Sequence, residues 1–279
     1  MPSAFVEETR GARLKLLAIG LGIIGLLYIV AFVMPMLYMV AVSLEKTRLA
    51  SKQPKGFTGT FAAYHRFWGS AYYRQIMYFS LKLAFASVVA SLVIGLPLAY
   101  TAARGSRLLK AVTIIAVVNP LFVSTIVRAF GLHMLLGYLH IKESFLATLI
   151  GTTQILLPFM VLPLMAGFRH VEPLTIHSAR TLGSGRMRIA ARIVLPELAP
   201  SLLAGSILVF ILAMNIFSIP LILGKPTQPT MALLVYQAAF TTGNFTFAAV
   251  IALTLLALSV VVIFVQGRLA RGAASGVVL

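Results

Sequence analysis

Cysteine and aspartate are both absent from these 279 residues, and the six carboxylates are all glutamates. Without thiols the chain forms no disulfide, runs no thiolate chemistry and holds no Cys-ligated metal. Charge is scarce: 10% of residues carry one, against roughly a quarter in a soluble domain. Such a chain cannot coat itself with water. Catalytic signatures are missing as well. There is no G-x-x-x-x-G-K-[ST] string to cradle phosphates, no H-E-x-x-H to hold zinc and no G-x-S-x-G elbow to present a serine. No carboxylate pair lies within an apolar run, so general acid–base hydrolysis has no seat there.

What is present is apolar. Such residues make up 60% of the chain, in long runs rather than stripes, as contact with lipid requires. Crossing about 30 Å of hydrocarbon at 1.5 Å per residue takes about 20 residues. The runs predict six spans, at about 16–42, 76–103, 108–130, 145–168, 201–223 and 245–266, in one all-α membrane domain over 1–279. The first follows Arg10, Arg13 and Lys15. It is longer than the about 7–15 apolar residues of a cleavable signal core, so it reads as a helix. Pro158 and Pro163 fall in the fourth, where neighbouring helices re-satisfy the freed carbonyls.

The net charge of +17 resides in the segments between runs, where basic residues orient helices and meet anionic lipid. No loop presents a basic face with interleaved aromatics, which excludes nucleic acid as a partner. Basic residues weigh towards the segments holding Arg10, Arg13, Arg104, Arg107, Lys110, Arg186, Arg188 and Arg192. The positive-inside rule then puts both termini and the loop 169–200 in the cytoplasm of a bacterial cell, with the chain in its inner membrane. Phe61, Tyr64, Phe67, Trp68, Tyr72 and Tyr73 read as an interfacial belt on the opposite side.

The loop 169–200 is too patterned for a connector. Pro173 suits a first helical position, where its missing amide hydrogen costs nothing. Gly183-Ser184-Gly185 breaks the helix it opens, and a second stretch from Arg186 is expected to stop at Pro196. Two short helices at a glycine elbow make a knob. Arg188 and Arg192, one turn apart, are available to a partner's carboxylates or to lipid phosphate.

Within this loop, His177-Ser178-Ala179, three residues, Gly183, nine residues, Ile193, one residue and Leu195-Pro196 resemble the EAA loop of ABC importer permeases. That family's pattern is Glu-Ala-Ala, three residues, Gly, nine residues, Ile, one residue, Leu-Pro. The spacing agrees throughout; the departures are His177 for Glu and Ser178 for the first Ala. The likeness extends over about Tyr64 to Leu269. YFSLKLAFASVVASLVIGLPLAY (78–100), NPLFVSTIVRAFGLHMLLG (119–137) and QILLPFMVLPLMAGFRHVEPL (154–174) are similar to the membrane subunit of spermidine/putrescine importers.

The resemblance implies a type I ABC importer permease fold with six spans and a coupling helix near Thr175–Arg186 that inserts into a groove of a cytoplasmic ATPase. It implies two such ATPase subunits, which hold the ATP and Mg while this chain holds no cofactor. It also implies a second homologous permease and a periplasmic or lipid-anchored solute-binding protein. The implied function is half of a translocation pathway for a small solute: a polyamine, an opine, an aminophosphonate or an amino-acid derivative. Selectivity in the family resides mostly in the receptor.

Four polar residues in apolar runs are candidate pathway residues. Lys82 either meets the solute or snorkels to the interface about two turns from the end of its span. Arg128, which matches an arginine of the resembling family, either faces the path or anchors a helix end. Asn119 and Asn215 either line the path or join helices by hydrogen bonds. His133 and His140, seven apart on one expected helix face, lack a carboxylate or thiol to complete a metal site. The competing class is a stand-alone secondary transporter or channel. Ion coupling relies on acids within spans, and Glu7, Glu8, Glu45, Glu143, Glu172 and Glu197 are all expected in loops or tails.

Overall fold

A computed structural model describes residues 3–44, 61–141 and 143–275. Glu45 and the basic residues of 46–55 lie outside it, as does Lys142. The described chain is helical: α1 (Ser3–Ser43), α2 (Ala62–Gly69), α3 (Ala71–Arg104), α4 (Arg107–Val118), α5 (Thr125–Tyr138), α6 (Phe145–His170), α7 (Pro173–Thr181), α8 (Arg186–Ile189), α9 (Leu195–Asn215), α10 (Ser218–Leu223), α11 (Met231–Tyr236) and α12 (Phe245–Ser275). Five stretches are long and apolar enough to cross a membrane: Gly20–Ser43, Ala71–Arg104, Phe145–His170, Arg186–Asn215 and Phe245–Arg268. A bent pair, Arg107–Phe122 with Thr125–Tyr138, makes a sixth.

In lipid no hydrophobic drive brings apolar helices together, so close packing of small residues does so. Helix α6 lies between α3 and α9. Its Met160 is fully buried, held between Gly95 of α3 and Gly205 of α9. A Cβ at Gly205 would meet the Met160 sulfur at 2.9 Å, and one at Gly95 its Cγ at 3.1 Å. Hydrogen at these two positions sets how near the three backbones come. Helix α12 packs on α9 and α11, and α1 leans on α12. The Ser43 hydroxyl at the end of α1 lies 3.0 Å from that of Tyr64 in α2.

The third span is not the single helix expected over 108–130. Its two halves meet at 109°, through a 3-10 turn at Asn119–Phe122 and extended backbone at Val123. Pro120, at the start of that turn, has no amide hydrogen, and its ring crowds the carbonyl four residues back. The fifth span differs in the other direction. Helix continues from Arg186 to Asn215 and Pro196 does not stop it. A π turn at Ala190–Val194 widens the helix just where Pro196 withholds its hydrogen bond, which absorbs the proline. Glu197, expected in a loop, therefore lies in the first turn of α9, exposed. Beyond Asn215 the chain turns into α10 as a separate helix.

The aromatic cluster is only partly a belt. Phe67 is 1% exposed, stacked on Tyr73 at 5.6 Å, and Tyr73 meets Phe247 of α12 at 5.1 Å. Trp68, Tyr72 and Phe61 stay exposed. His133 and His140 do not share a helix face, because α5 ends at Tyr138 and His140 turns away with φ 58°.

Candidate functional site

The loop between α6 and α9 is built on one charged anchor. Arg104 ends α3, and its Nε and Nη2 donate to the Phe168 carbonyl at 3.1 and 2.9 Å. Nη2 also donates to the Val171 carbonyl. These carbonyls lie at the C-terminal end of α6, where a cation is favoured by unsatisfied acceptors and the helix dipole. The chain leaves α6 at a fixed place. In the sequence Arg104 reads only as one of the basic residues between apolar runs.

From there Pro173 opens α7 at its first position. The Ser178 hydroxyl donates to the Leu174 carbonyl at 2.9 Å, and that of Thr181 to the Ser178 carbonyl at 2.8 Å. Gly183 ends the helix with φ +80°. Its N–H donates to the Arg180 carbonyl at 3.0 Å and that of Ser184 to the Ala179 carbonyl at 3.0 Å. This reciprocal pair is a Schellman cap, which satisfies two orphan carbonyls and requires left-handed backbone. Open space surrounds the position of a Cβ at Gly183, so conformation, not room, selects glycine here. The chain then reverses into α8, where Ile189 is buried.

The candidate coupling residues sit together on this elbow. His177 and Ser178 are exposed, Ala179 is half-buried, and Gly183 is the turn. Ile193 is half-buried in the π turn; Leu195 is exposed and Pro196 half-buried just beyond it. The spacing pattern did not reveal what covers the tip. Leu182 and Met187 are each 84% exposed, and Leu174 68%. Arg180, Arg186, Arg188 and Arg192 are exposed around them. An exposed apolar tip with a cationic rim has the make-up of a protein contact: anchors at the centre, charge at the edge.

Among the described residues no hydrogen bond joins the four pathway candidates, and of the four only Lys82 lines the larger cavity. Lys82 lies three turns into α3, deeper than expected because that helix begins at Ala71. Its ammonium sits 5.0 Å from the Phe145 ring centre. Asn119 opens the 3-10 turn at the break of the third span. Arg128 is in the first turn after that break, its backbone N–H donating to the Ser124 carbonyl at 3.1 Å. Its Nε and Nη1 are buried with no hydrogen-bond partner among the described residues. Asn215 bonds back to the Ile211 carbonyl at 2.8 Å and ends α9. At the end of the bundle away from the elbow, a cavity of about 810 Å³ takes in Lys82, Arg74, Gln75, Phe145, Thr227 and Gln228.

Among the described residues the chain is an all-helical bundle with about six apolar spans and an exposed elbow anchored by Arg104. Residues 56–275 match the family of binding-protein-dependent transport system inner membrane components, and the chain belongs to that family. It is a multi-pass inner-membrane permease of an ABC importer, and ATP hydrolysis lies in a separate subunit. Over 216 residues it is 26% identical to the spermidine/putrescine transport system permease protein PotB of Escherichia coli (strain K12), covering 71% of this chain and 78% of that one. PotB of Haemophilus influenzae is 26% identical over 213 residues, 70% of this chain and 74% of that protein. The fold is similar to a chain of a bacterial ABC transporter involved in the import of the acidic polysaccharide alginate. The TM-score is 0.72 at 15% identity, over 95% of this chain and 98% of that one. A second structure of a bacterial alginate ABC transporter, in complex with an alginate pentasaccharide-bound periplasmic protein, gives a TM-score of 0.71 at 14% identity, over 95% of this chain and 97% of that one.

Proposed function

We propose that the elbow between α7 and α8 is the coupling element of this permease, seated in a groove of a cytoplasmic ATPase. The exposed tip of Leu182 and Met187, held on a Schellman turn and anchored through Arg104, is the observation that carries this reading. His177, Ser178 and Ala179 shape the helix that enters the groove; Gly183 sets its angle to α8. Ile193, Leu195 and Pro196 join it to the span. Two ATPase subunits hold ATP and Mg, a second homologous permease supplies the other half of the path, and a solute-binding protein delivers cargo to the opposite face. With six spans, both termini share the cytoplasmic side with the elbow.

Closure of the ATPases then moves the elbow, and the rigid α6 and α9 carry that motion to the far end of the bundle. Lys82, Asn119, Arg128 and Asn215 belong to the pathway in this scheme. The buried Nε and Nη1 of Arg128, without a hydrogen-bond partner among the described residues, support its share: a guanidinium at membrane depth needs acceptors, and the other half of the path supplies them. PotB relatives are named for polyamines, yet among the described residues no acidic side chain lines the outer cavity of this chain.

Gly183→Pro tests the coupling role. Proline fixes φ near −65° where the turn needs +80°, and it removes the N–H bonded to Arg180. The variant is expected to insert normally and to lose co-purification with the ATPase; undiminished association rejects the assignment.

A further inference from the structure

The cavity at the end away from the elbow has a composition that its surroundings do not require. Ala71, Gln75, Tyr78 and Lys82 of α3 line it on successive turns, with Arg74 beside them. Its far wall is Thr227, Gln228 and Pro229. That wall is fixed over α3 by a buried bond: the Met231 N–H donates to the Ser80 hydroxyl at 2.8 Å, and that hydroxyl donates to the Ile76 carbonyl at 2.9 Å. Thr230 caps α11 by accepting from the Leu233 N–H at 3.3 Å. The wall is built, not draped.

Among the described residues it is lined by two cations, two side-chain amides, a threonine hydroxyl and the phenols of Tyr72 and Tyr78, and by no carboxylate. Arg74 is held at the rim, its Nη1 donating to the Trp68 carbonyl at 2.8 Å. Lys82 has an aromatic face as neighbour, the Phe145 ring at 5.0 Å, itself set edge-on to Phe79 at 5.9 Å. A lysine three turns into an apolar helix is expensive and marks a path or a ligand. The volume of about 810 Å³ falls in the range of small-molecule sites.

We infer that this cavity receives the anionic end of the transported solute, a small organic carboxylate or phosphonate, with Lys82 as its counter-cation and Gln75, Thr227 and Gln228 as hydrogen-bonding partners. The inference rests on the permease reading above and adds the solute's charge. Among the described residues a polycation meets two like charges and no acid here. An anionic lipid headgroup offers the same oxyanion as a soluble solute. The cavity's polar far wall favours the soluble one.

The test uses the assembled transporter in nanodiscs of phosphatidylcholine alone, without nucleotide. Acylation of Lys82 by an amine-reactive reagent is followed by peptide mass spectrometry, with methylphosphonate and putrescine as probes. At ten times its dissociation constant, methylphosphonate is expected to slow acylation about tenfold, as simple occupancy dictates, while putrescine leaves it unchanged. In parallel, methylphosphonate is expected to raise the melting temperature of the wild type and of Lys82→Arg but not of Lys82→Met. Three results overturn the inference: equal protection by putrescine, no protection by methylphosphonate, or full protection by added phosphatidylglycerol with indifference to methylphosphonate. Protection is read without nucleotide and ATPase co-purification without solute, so this inference and the coupling reading fail separately.

Discussion

Replacing Leu182 and Met187 together by aspartate is expected to abolish uptake while leaving the protein in the membrane at normal levels. Both side chains are 84% exposed and neither supports the spans, so folding has little to lose. Docking has much to lose. Burying a leucine or methionine side chain is worth about 1.5–3 kcal/mol, so the pair supplies about 3–6 kcal/mol at the centre of the contact. At 1.4 kcal/mol per decade, its loss weakens association by about a hundredfold or more, before any cost of burying two carboxylates. The measurement is uptake in cells beside ATPase co-purification; both are expected to fall together. Normal uptake removes the apolar tip from the coupling scheme.

Arg104→Ala is expected to insert and to bind the ATPase, yet to transport poorly. Arg104 touches nothing in the elbow tip. It holds the exit of α6 through the Phe168 and Val171 carbonyls, and so converts motion of the elbow into motion of α3 and α6 together. Hydrogen bonds to charged groups are worth about 1.5–3 kcal/mol, and exposure of this guanidinium argues for the lower figure. About 1.4 kcal/mol already corresponds to tenfold. A fall in uptake of about tenfold with ATP hydrolysis retained is the expected split, and Arg104→Lys recovers part of it. Loss of the protein from the membrane instead makes Arg104 a folding residue.

The spans were legible because their signal is additive: apolar runs long enough for lipid. The breaks were not, because hydropathy weighs a proline the same wherever it falls. Pro158 and Pro163 stay inside α6, Pro120 breaks the third span, and Pro196 is absorbed by a π turn. Which outcome occurs depends on whether neighbouring helices take up the freed carbonyls. In the sequence helix α10 reads as the end of the fifth span, 201–223, and the short helix α11 is missed for a related reason. Gly224, Pro226 and Pro229 between them read as loop, while Leu223 and Met231 at their ends are buried. In the elbow, spacing exposed the residues that shape backbone, above all Gly183. Leu182 and Met187 look like any apolar residues until the fold leaves them bare. Arg104 pairs with backbone 64 and 67 residues away, a contact no local pattern encodes.

The absence of cysteine allows a direct measurement of what grips the elbow. A single cysteine at Ser184, beside the turn and half-buried, is the sole thiol of this subunit. In inside-out vesicles of the assembled transporter, a maleimide–benzophenone reagent attached at this thiol and activated by light, which inserts into C–H bonds and needs no partner thiol, is expected to link it to the ATPase, with a yield that changes between nucleotide-free and ATP-bound states. A cysteine that instead reacts with an impermeant maleimide only from the periplasmic face, or that never links to the ATPase in either state, contradicts the coupling role.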